Sequence, residues 1–379
     1  MRIALIWPGT PRLMDMTVRL DRYCLGLSEL GHDVFAVCCR GAGDGFPYPV
    51  LSYENFDQLA NPLFWRSLRA DLAIVITWNR MSAYLEAAQS SGQRVIAIAD
   101  TDGQLSSRLF LKARLRREWA DDSADAMART RLLWRYLKLY LFRWRQEDKE
   151  FVRSTELSHR VVFANEGARR NFVRCLILHG RGDLSERLAV VPYPVDVAFL
   201  DQSPDRRCPR AIAVGRWNDA QKNSGLLARS IEGYYRDGGD WEIQVVGGGG
   251  ESAFLKLATQ YPLFRILGKL PPSEIAKLLA SSRVLLCTSR WESGPIVAFE
   301  ALASGCTIVT TPLPSIISFL ENGRGGRSSA SHKPPDFLTS MREEFSAWDH
   351  GLRSTADLSS QWRSQLRFQR ICAELVQGF

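Results

Sequence analysis

The chain has 379 residues, 45% hydrophobic and 24% charged, with a formal net charge of +8 and a pI of about 9.2. That length suggests two domains, each able to bury a full core, and the balance is that of a globular protein rather than a disordered one. The positive charge favours an anionic partner, such as phosphate, nucleic acid or an acidic membrane surface, without choosing among them.

In chain order, MRIALIWPG at the N-terminus has too short an apolar run for a signal peptide and reads as a first strand, Ile3 to Trp7. Arg19 to Leu30 has helical spacing and stops at Gly31, with His32 as a turn residue. Strands follow at Val34 to Cys38, Leu72 to Thr77, Val95 to Ala99 and Val161 to Phe163. Their unbroken apolar runs suit strands covered on both faces, and their alternation with helices predicts a parallel sheet. No run of about 18 residues is free of charge, which argues against a spanning helix. The eight cysteines are scattered without a CxxC pair, as buried thiols in a reducing cytosol would be.

Pro192 to Arg210 is rich in proline and charge and reads as a boundary. The pattern then restarts. Strands are expected at Ala211 to Val214, Glu242 to Val246, Val284 to Thr288 and Thr307 to Thr310. Helices are expected at Ser224 to Asp237, Pro272 to Ala280 and Pro295 to Ser304, and one amphipathic helix at Leu358 to Val376. The domains are therefore expected at about residues 1–195 and 205–350, with a closing helix over 355–379 and a helical insertion over about 105–153.

The second half holds the chemistry. In WESGPIVAFEALASGCTIVTT, Glu292 lies in a loop after a buried strand and Glu300 within the following helix. Pro295 is expected at the first helical position and Gly305 just past the end. The loop follows the carboxyl end of a parallel strand, where backbone N–H groups and the positive helix end favour phosphate. Two carboxylates there suit hydroxyl-rich groups flanking a phosphate, the layout of a nucleotide sugar. In AVGRWNDAQKNSGLL, Arg216 and Lys222 lie in the loop after the second domain's first strand and could neutralise a diphosphate leaving group. In VVGGGGES, the glycines allow close backbone approach or form a flexible turn. Surface cations and solvated helix-end acids are the bland alternatives.

These three loops, with ILGKLPPSEIAKLLASSRVLLCTSRWESGPIVAFEALASGCTIVTT, resemble the retaining glycosyltransferase family 4, over about Ala211 to Gly326. LSELGHDVFAV and ERLAVVPYPVDVAFL resemble its first domain more weakly. The resemblance implies an α/β GT-B fold, with two Rossmann-like domains, a cleft between them and a C-terminal helix crossing back to the first. It implies that Arg216 and Lys222 hold the donor phosphates, Glu292 the donor sugar and Glu300 the nucleotide ribose. Ser293, Gly294, Pro295, Gly247 and Gly249 would pass close to the donor. No metal and no cofactor are implied; a nucleotide-diphosphate sugar is the donor, and a carbohydrate or lipid-linked molecule the acceptor. The first domain departs from the family. WPGTPRLMD has only Gly9, and AIADTDGQ has Asp100 and Asp102 where many members carry a histidine. The two aspartates suit an acceptor-side role or a turn cap. Alternatives are a non-catalytic GT-B module binding a sugar nucleotide, or an epimerase or phosphorylase.

Arg108 to Arg153 contains 13 lysines and arginines against 7 aspartates and glutamates, a net +6. On a helix, Arg131, Arg135, Lys138, Arg145 and Lys149 share a stripe, and Leu133, Trp134, Tyr136, Leu137, Leu139, Tyr140, Leu141 and Trp144 cover the rest; Arg143 breaks the pattern. Such a helix suits the surface of an anionic membrane, with the protein cytoplasmic and peripheral on the inner face. It equally suits a core helix with snorkelling arginines. Nucleic acid is not expected, since no recognised module accompanies the stripe.

Overall fold

The computed structural model describes residues 1–8, 13–39, 46–77, 81–119, 126–202, 207–320 and 324–379. They form two compact units: one of Met1–Leu115, Ala126–Pro194 and Phe368–Phe379, the other of Val195–Arg367 together with residues 116–119.

The first unit runs β1 (Arg2–Trp7), α1 (Leu13–Glu29), β2 (Asp33–Cys39), β3 (Val50–Tyr53), α2 (Pro62–Leu68), β4 (Leu72–Thr77), α3 (Ser82–Ser90) and β5 (Arg94–Ala99). It continues with α4 (Ser107–Trp119), α5 (Ala126–Lys138), α6 (Trp144–Leu157), β6 (Arg160–Phe163), α7 (Glu166–Leu178) and β7 (Leu188–Val190). The strands form one parallel sheet in the order β3-β2-β1-β4-β5-β6-β7. Helices cover such a sheet on both faces, so its inner strands can be apolar at every position, as Ile3 to Ile6 are.

The second unit runs α8 (Val197–Leu200), β8 (Arg210–Val214), α9 (Ser224–Arg236), β9 (Glu242–Val246), α10 (Glu251–Gln260), β10 (Phe264–Gly268), α11 (Pro272–Ser281) and β11 (Val284–Cys287). Then come α12 (Ile296–Ala303), β12 (Thr307–Thr310), α13 (Pro314–Leu320), β13 (Gly326–Ser328), α14 (Pro334–Asp349) and α15 (Thr355–Leu366). Its parallel sheet has the order β10-β9-β8-β11-β12-β13. The chain ends in α16 (Phe368–Val376), which belongs to the first unit.

Three sequence expectations need correction. The four strands not anticipated, β3, β7, β10 and β13, are the four sheet edges. Edges are short and half-exposed, so they carry no unbroken apolar run. The segment Pro192 to Arg210, read as a boundary without periodicity, contains one short helix, α8, capped by Asp196. The single helix expected over Leu358 to Val376 is two, α15 and α16. Arg367 between them is extended (φ −60°, ψ 132°) and bridges to Val195. The break lets α15 pack on α12 while α16 packs on α1. At Gly26 of α1 a Cβ would come within 2.6 Å of the Cys372 sulfur, so only glycine lets α16 approach that far.

All eight cysteines are free thiols, six of them buried. Burial pushes Cys38, Cys175 and Cys372 up to about 12, which makes them inert packing groups.

In the second unit α14 packs on α9 and is fixed by a buried ion pair. Glu344, fully buried, accepts from Arg353 Nε at 2.7 Å and Nη2 at 2.8 Å. Removing one partner of such a pair strands the other charge. Glu344→Ala is expected to destabilise the second unit by about 3–5 kcal/mol in urea melts, whereas Glu343→Ala on the exposed side of α14 should stay within about 0.5 kcal/mol. Equal effects would show that the buried pair does not hold α14.

Candidate active site

In the second unit β8 pairs with β9 on one side and β11 on the other, so the strand order reverses there. At such a reversal in a parallel sheet the loops leaving the two carboxyl ends diverge and open a crevice for ligands. The loop after β8 carries Arg216 and Lys222. The loop after β11 carries Glu292.

The two loops are stitched by backbone-directed bonds. Arg290 N–H donates to the Gln221 carbonyl at 2.8 Å, and Thr288 Oγ1 donates to the Lys222 carbonyl at 2.8 Å. Arg290 Nη2 donates to Asn223 Oδ1 at 2.9 Å. Asp219 accepts from Gln221 N–H at 2.9 Å and caps the 3₁₀ turn Ala220–Lys222. Asn223 then sits in the left-handed region (φ 54°), which asparagine tolerates, and starts α9.

This framework delivers three donors to the Glu292 carboxylate, which is 8% exposed. Lys222 Nζ lies 2.6 Å from Oε1, Ser289 Oγ donates to the same oxygen at 2.7 Å, and Gln221 Nε2 donates to Oε2 at 3.1 Å. A carboxylate has about four lone-pair sites, so among the described residues one on Oε2 stays open to a further donor. The Lys222 ammonium has three N–H groups, of which Glu292 takes one. The site can thus offer an acceptor and a cation side by side. Cys287, buried at the end of β11, has its thiol pushed up by burial and by neighbouring Glu292.

Arg216 stands apart. Its side chain is 68% exposed and its guanidinium engages Asp219 at 3.0 Å, within its own loop. It shares the loop with Lys222 but makes no bond to Glu292 among the described residues.

The glycine run is no loose turn. Gly247 has φ 120° and a Cβ there would lie 1.8 Å from the Gly215 carbonyl oxygen. A Cβ on Gly249 (φ 86°) would meet Asn218 at 2.5 Å, and one on Gly250 would meet Trp217 at 2.1 Å. Gly215 N–H bonds the Val246 carbonyl at 3.0 Å, Trp217 N–H the Gly248 carbonyl at 2.9 Å, and Trp217 Nε1 the Val246 carbonyl at 2.9 Å. The glycines let the loop after β9 lie directly on the loop after β8.

On α12, Glu300 is 7% exposed. Pro295 is not at the first helical position but precedes the helix (ψ 90°), where its carbonyl accepts from Ala298 and Phe299. Pro295 offers no side-chain cap, so among the described residues the N–H groups of Ile296 and Val297 stay available to an anion. Gly294 is buried and Ser293 half-buried beside it. Gly305, with φ 82°, ends the helix as expected.

On the first unit, Asp102 Oδ1 accepts from Gln104 N–H at 3.1 Å, which makes it a turn cap. Asp100 accepts from the Tyr193 hydroxyl at 3.0 Å. Gly9 lies outside the described residues. Sequence reasoning missed Gln221 and Ser289; the one available signal was their proximity in sequence to Lys222 and Glu292.

Residues 208–344, from just before β8 into α14, match the family described as Glycosyl transferases group 1. The chain resembles a D-inositol 3-phosphate glycosyltransferase of Corynebacterium kroppenstedtii at 27% identity over 207 residues, 48% of this chain and 45% of that protein. It therefore spans less than half the length of this curated relative. Whole-chain likeness is structural. A glycosyltransferase from Rickettsia africae superposes with a TM-score of 0.66 at 12% identity, covering 100% of this chain and 99% of the other. HepE of Anabaena, solved in complex with UDP-glucose, gives 0.66 at 13% identity over 99% and 98%. The fold is GT-B. Within this GT-B chain the family match contains Arg216, Lys222, Glu292 and Glu300 together.

The packing of the glycine loop is testable. Gly247→Ala is expected to destabilise by roughly 2–4 kcal/mol, from strain plus overlap with the Gly215 carbonyl. Gly238→Ala, at φ 88° with nothing within 4 Å, should cost only about 1–2 kcal/mol in the same thermal melts. A Gly247→Ala protein as stable as wild type would contradict the close packing of the two loops.

Proposed function

We propose that this protein is a retaining glycosyltransferase of family 4, which moves a sugar from a nucleoside-diphosphate sugar to a hydroxyl of a carbohydrate or lipid-linked acceptor. The observation that carries the reading is the Glu292 carboxylate held by Lys222, Gln221 and Ser289 at the strand reversal of the second unit. The free lone pair on Glu292 Oε2 suits a sugar hydroxyl. The remaining Lys222 N–H groups, the exposed Arg216 and the uncapped start of α12 suit the adjacent diphosphate. Glu300 is assigned to the ribose hydroxyls. The structural likeness to a protein solved with UDP-glucose supports a donor of this class.

In the reaction, the bond between the anomeric carbon and the diphosphate oxygen breaks, and its electron pair leaves with the diphosphate. The acceptor oxygen forms the new bond on the same face. Its proton passes to the departing phosphate oxygen. Arg216 and Lys222 stabilise the negative charge that grows there, and Glu292 orients the sugar. These cations carry the charge on the diphosphate, so a chelator is expected to leave turnover intact.

The test is donor hydrolysis or transfer, read as release of nucleoside diphosphate. Arg216→Ala and Lys222→Ala should each lower turnover on the order of 10²–10³-fold. Glu300→Ala should weaken nucleoside-diphosphate binding roughly tenfold or more, seen as a smaller thermal shift. Tight donor binding with no turnover from any acceptor would instead make the chain a sugar-nucleotide-binding module. No stabilisation by any nucleoside diphosphate would remove the reading.

A further inference from the structure

The helical segment from α5 to α6 exposes apolar side chains that the fold leaves uncovered. A π turn, Leu139–Arg143, joins the two helices. The distal part of α6 is anchored. Asp148, fully buried, accepts from Ser106 Oγ at 2.6 Å and lies 3.1 Å from His179 Nε2, and Val152 and Leu157 are buried near it in sequence. The segment that precedes α6 is not. Among the described side chains of residues 126–143 only Tyr136 is buried. Leu133, Trp134, Leu137, Tyr140, Leu141 and Phe142 are 40–79% exposed. The core-helix explanation of these residues, open on sequence grounds, therefore applies to Tyr136 and not to them.

Their arrangement is ordered. At about 100° per residue, Leu133, Trp134, Leu137, Tyr140 and Leu141 span roughly a third of the helix surface, and Arg131, Arg135 and Lys138 follow along one edge. On a regular helix Phe142 would fall among those cations, three turns beyond Arg131, and Arg143 on the buried side with Tyr136. A π turn rotates less per residue. It swings Phe142 back to the apolar stripe and Arg143 to the cationic edge. The irregularity thus brings both misfits of the sequence pattern into register.

We propose that α5 and the π turn form a membrane-docking face for a bilayer surface containing anionic lipid. The aromatic and aliphatic stripe enters the boundary between headgroups and acyl chains, while Arg131, Arg135, Lys138 and Arg143 meet lipid phosphates. Charge complementarity selects this occupant, because the segment from Arg108 to Arg153 carries a net +6. Among the described residues no helix is long and apolar enough to cross a membrane, so the segment lies on the bilayer. An apolar stripe this exposed is a liability in water unless something covers it. The docking face lies on a different unit from the Glu292 site and stands independently of the proposed reaction.

The experiment is flotation of the full chain with phosphatidylcholine vesicles, with and without phosphatidylglycerol. Wild type should float with the anionic vesicles and be released by salt. Trp134→Ser/Phe142→Ser should abolish flotation. Arg131→Gln/Arg135→Gln/Lys138→Gln should weaken partitioning on the order of a hundredfold. Both variants should keep the wild-type melting temperature and the wild-type response to nucleoside diphosphates, which separates this test from that of the second unit. Wild type remaining unbound at low salt, or a Trp134→Ser/Phe142→Ser variant floating unchanged, overturns the proposal. So does a soluble dimer that this variant splits, since a second copy would then be the cover.

Discussion

The contact between Lys222 and Glu292 joins residues 70 positions apart, at 2.6 Å, with both side chains largely withdrawn from water. A buried ion pair adds little net stability, because the cost of desolvating two charges offsets most of their attraction. Two apolar side chains of similar volume would serve folding as well. What the pair provides is a carboxylate and an ammonium fixed at one edge of the sheet, each with hydrogen-bonding capacity left over. Gln221 and Ser289 complete the arrangement by occupying two of the other three lone pairs, so the carboxylate has one orientation before any ligand arrives. Preorganised charge of this kind is most valuable where charge develops during a reaction.

That geometry depends on backbone packing more than on the charged groups themselves. The loops after β8, β9 and β11 meet through carbonyl and N–H contacts, and Gly247, Gly249 and Gly250 lack the Cβ atoms that would hold the first two apart. The glycine run looked in sequence like a ligand-approach motif or a flexible turn. In the structure it is neither loose nor explained by a ligand alone. The protein's own loops already exclude side chains there, and whatever binds at this edge meets a surface shaped by that exclusion.

The inner strands of both sheets were legible because a parallel strand buried on two faces is apolar at every position. The edges were not, since β13 is only Gly326–Ser328 and β3 is exposed at both of its central residues, Leu51 and Ser52. Glu292, Lys222, Arg216 and Glu300 stand out in the sequence through spacing and flanking glycines, but which of them pair does not. Nothing in the order of residues says that Lys222 turns to Glu292 while Arg216 turns to Asp219. The helix break at Arg367 was hidden because the apolar period runs through it. Exposure was equally hidden at α5: a stripe of leucine and tryptophan has the same pattern whether it faces a core or a bilayer.

The chain thus combines a tightly stitched charge centre on its second unit with an uncovered apolar and basic helix on its first. The centre is the more consequential of the two, and its central claim concerns where a diphosphate sits. A crystal structure with a bound nucleoside-diphosphate sugar tests this most directly. The account predicts diphosphate oxygens within hydrogen-bonding distance of Lys222 and the first turn of α12, with a sugar hydroxyl on Oε2 of Glu292. A donor bound elsewhere, with Lys222 and Glu292 still paired only to each other and their present partners, would contradict it.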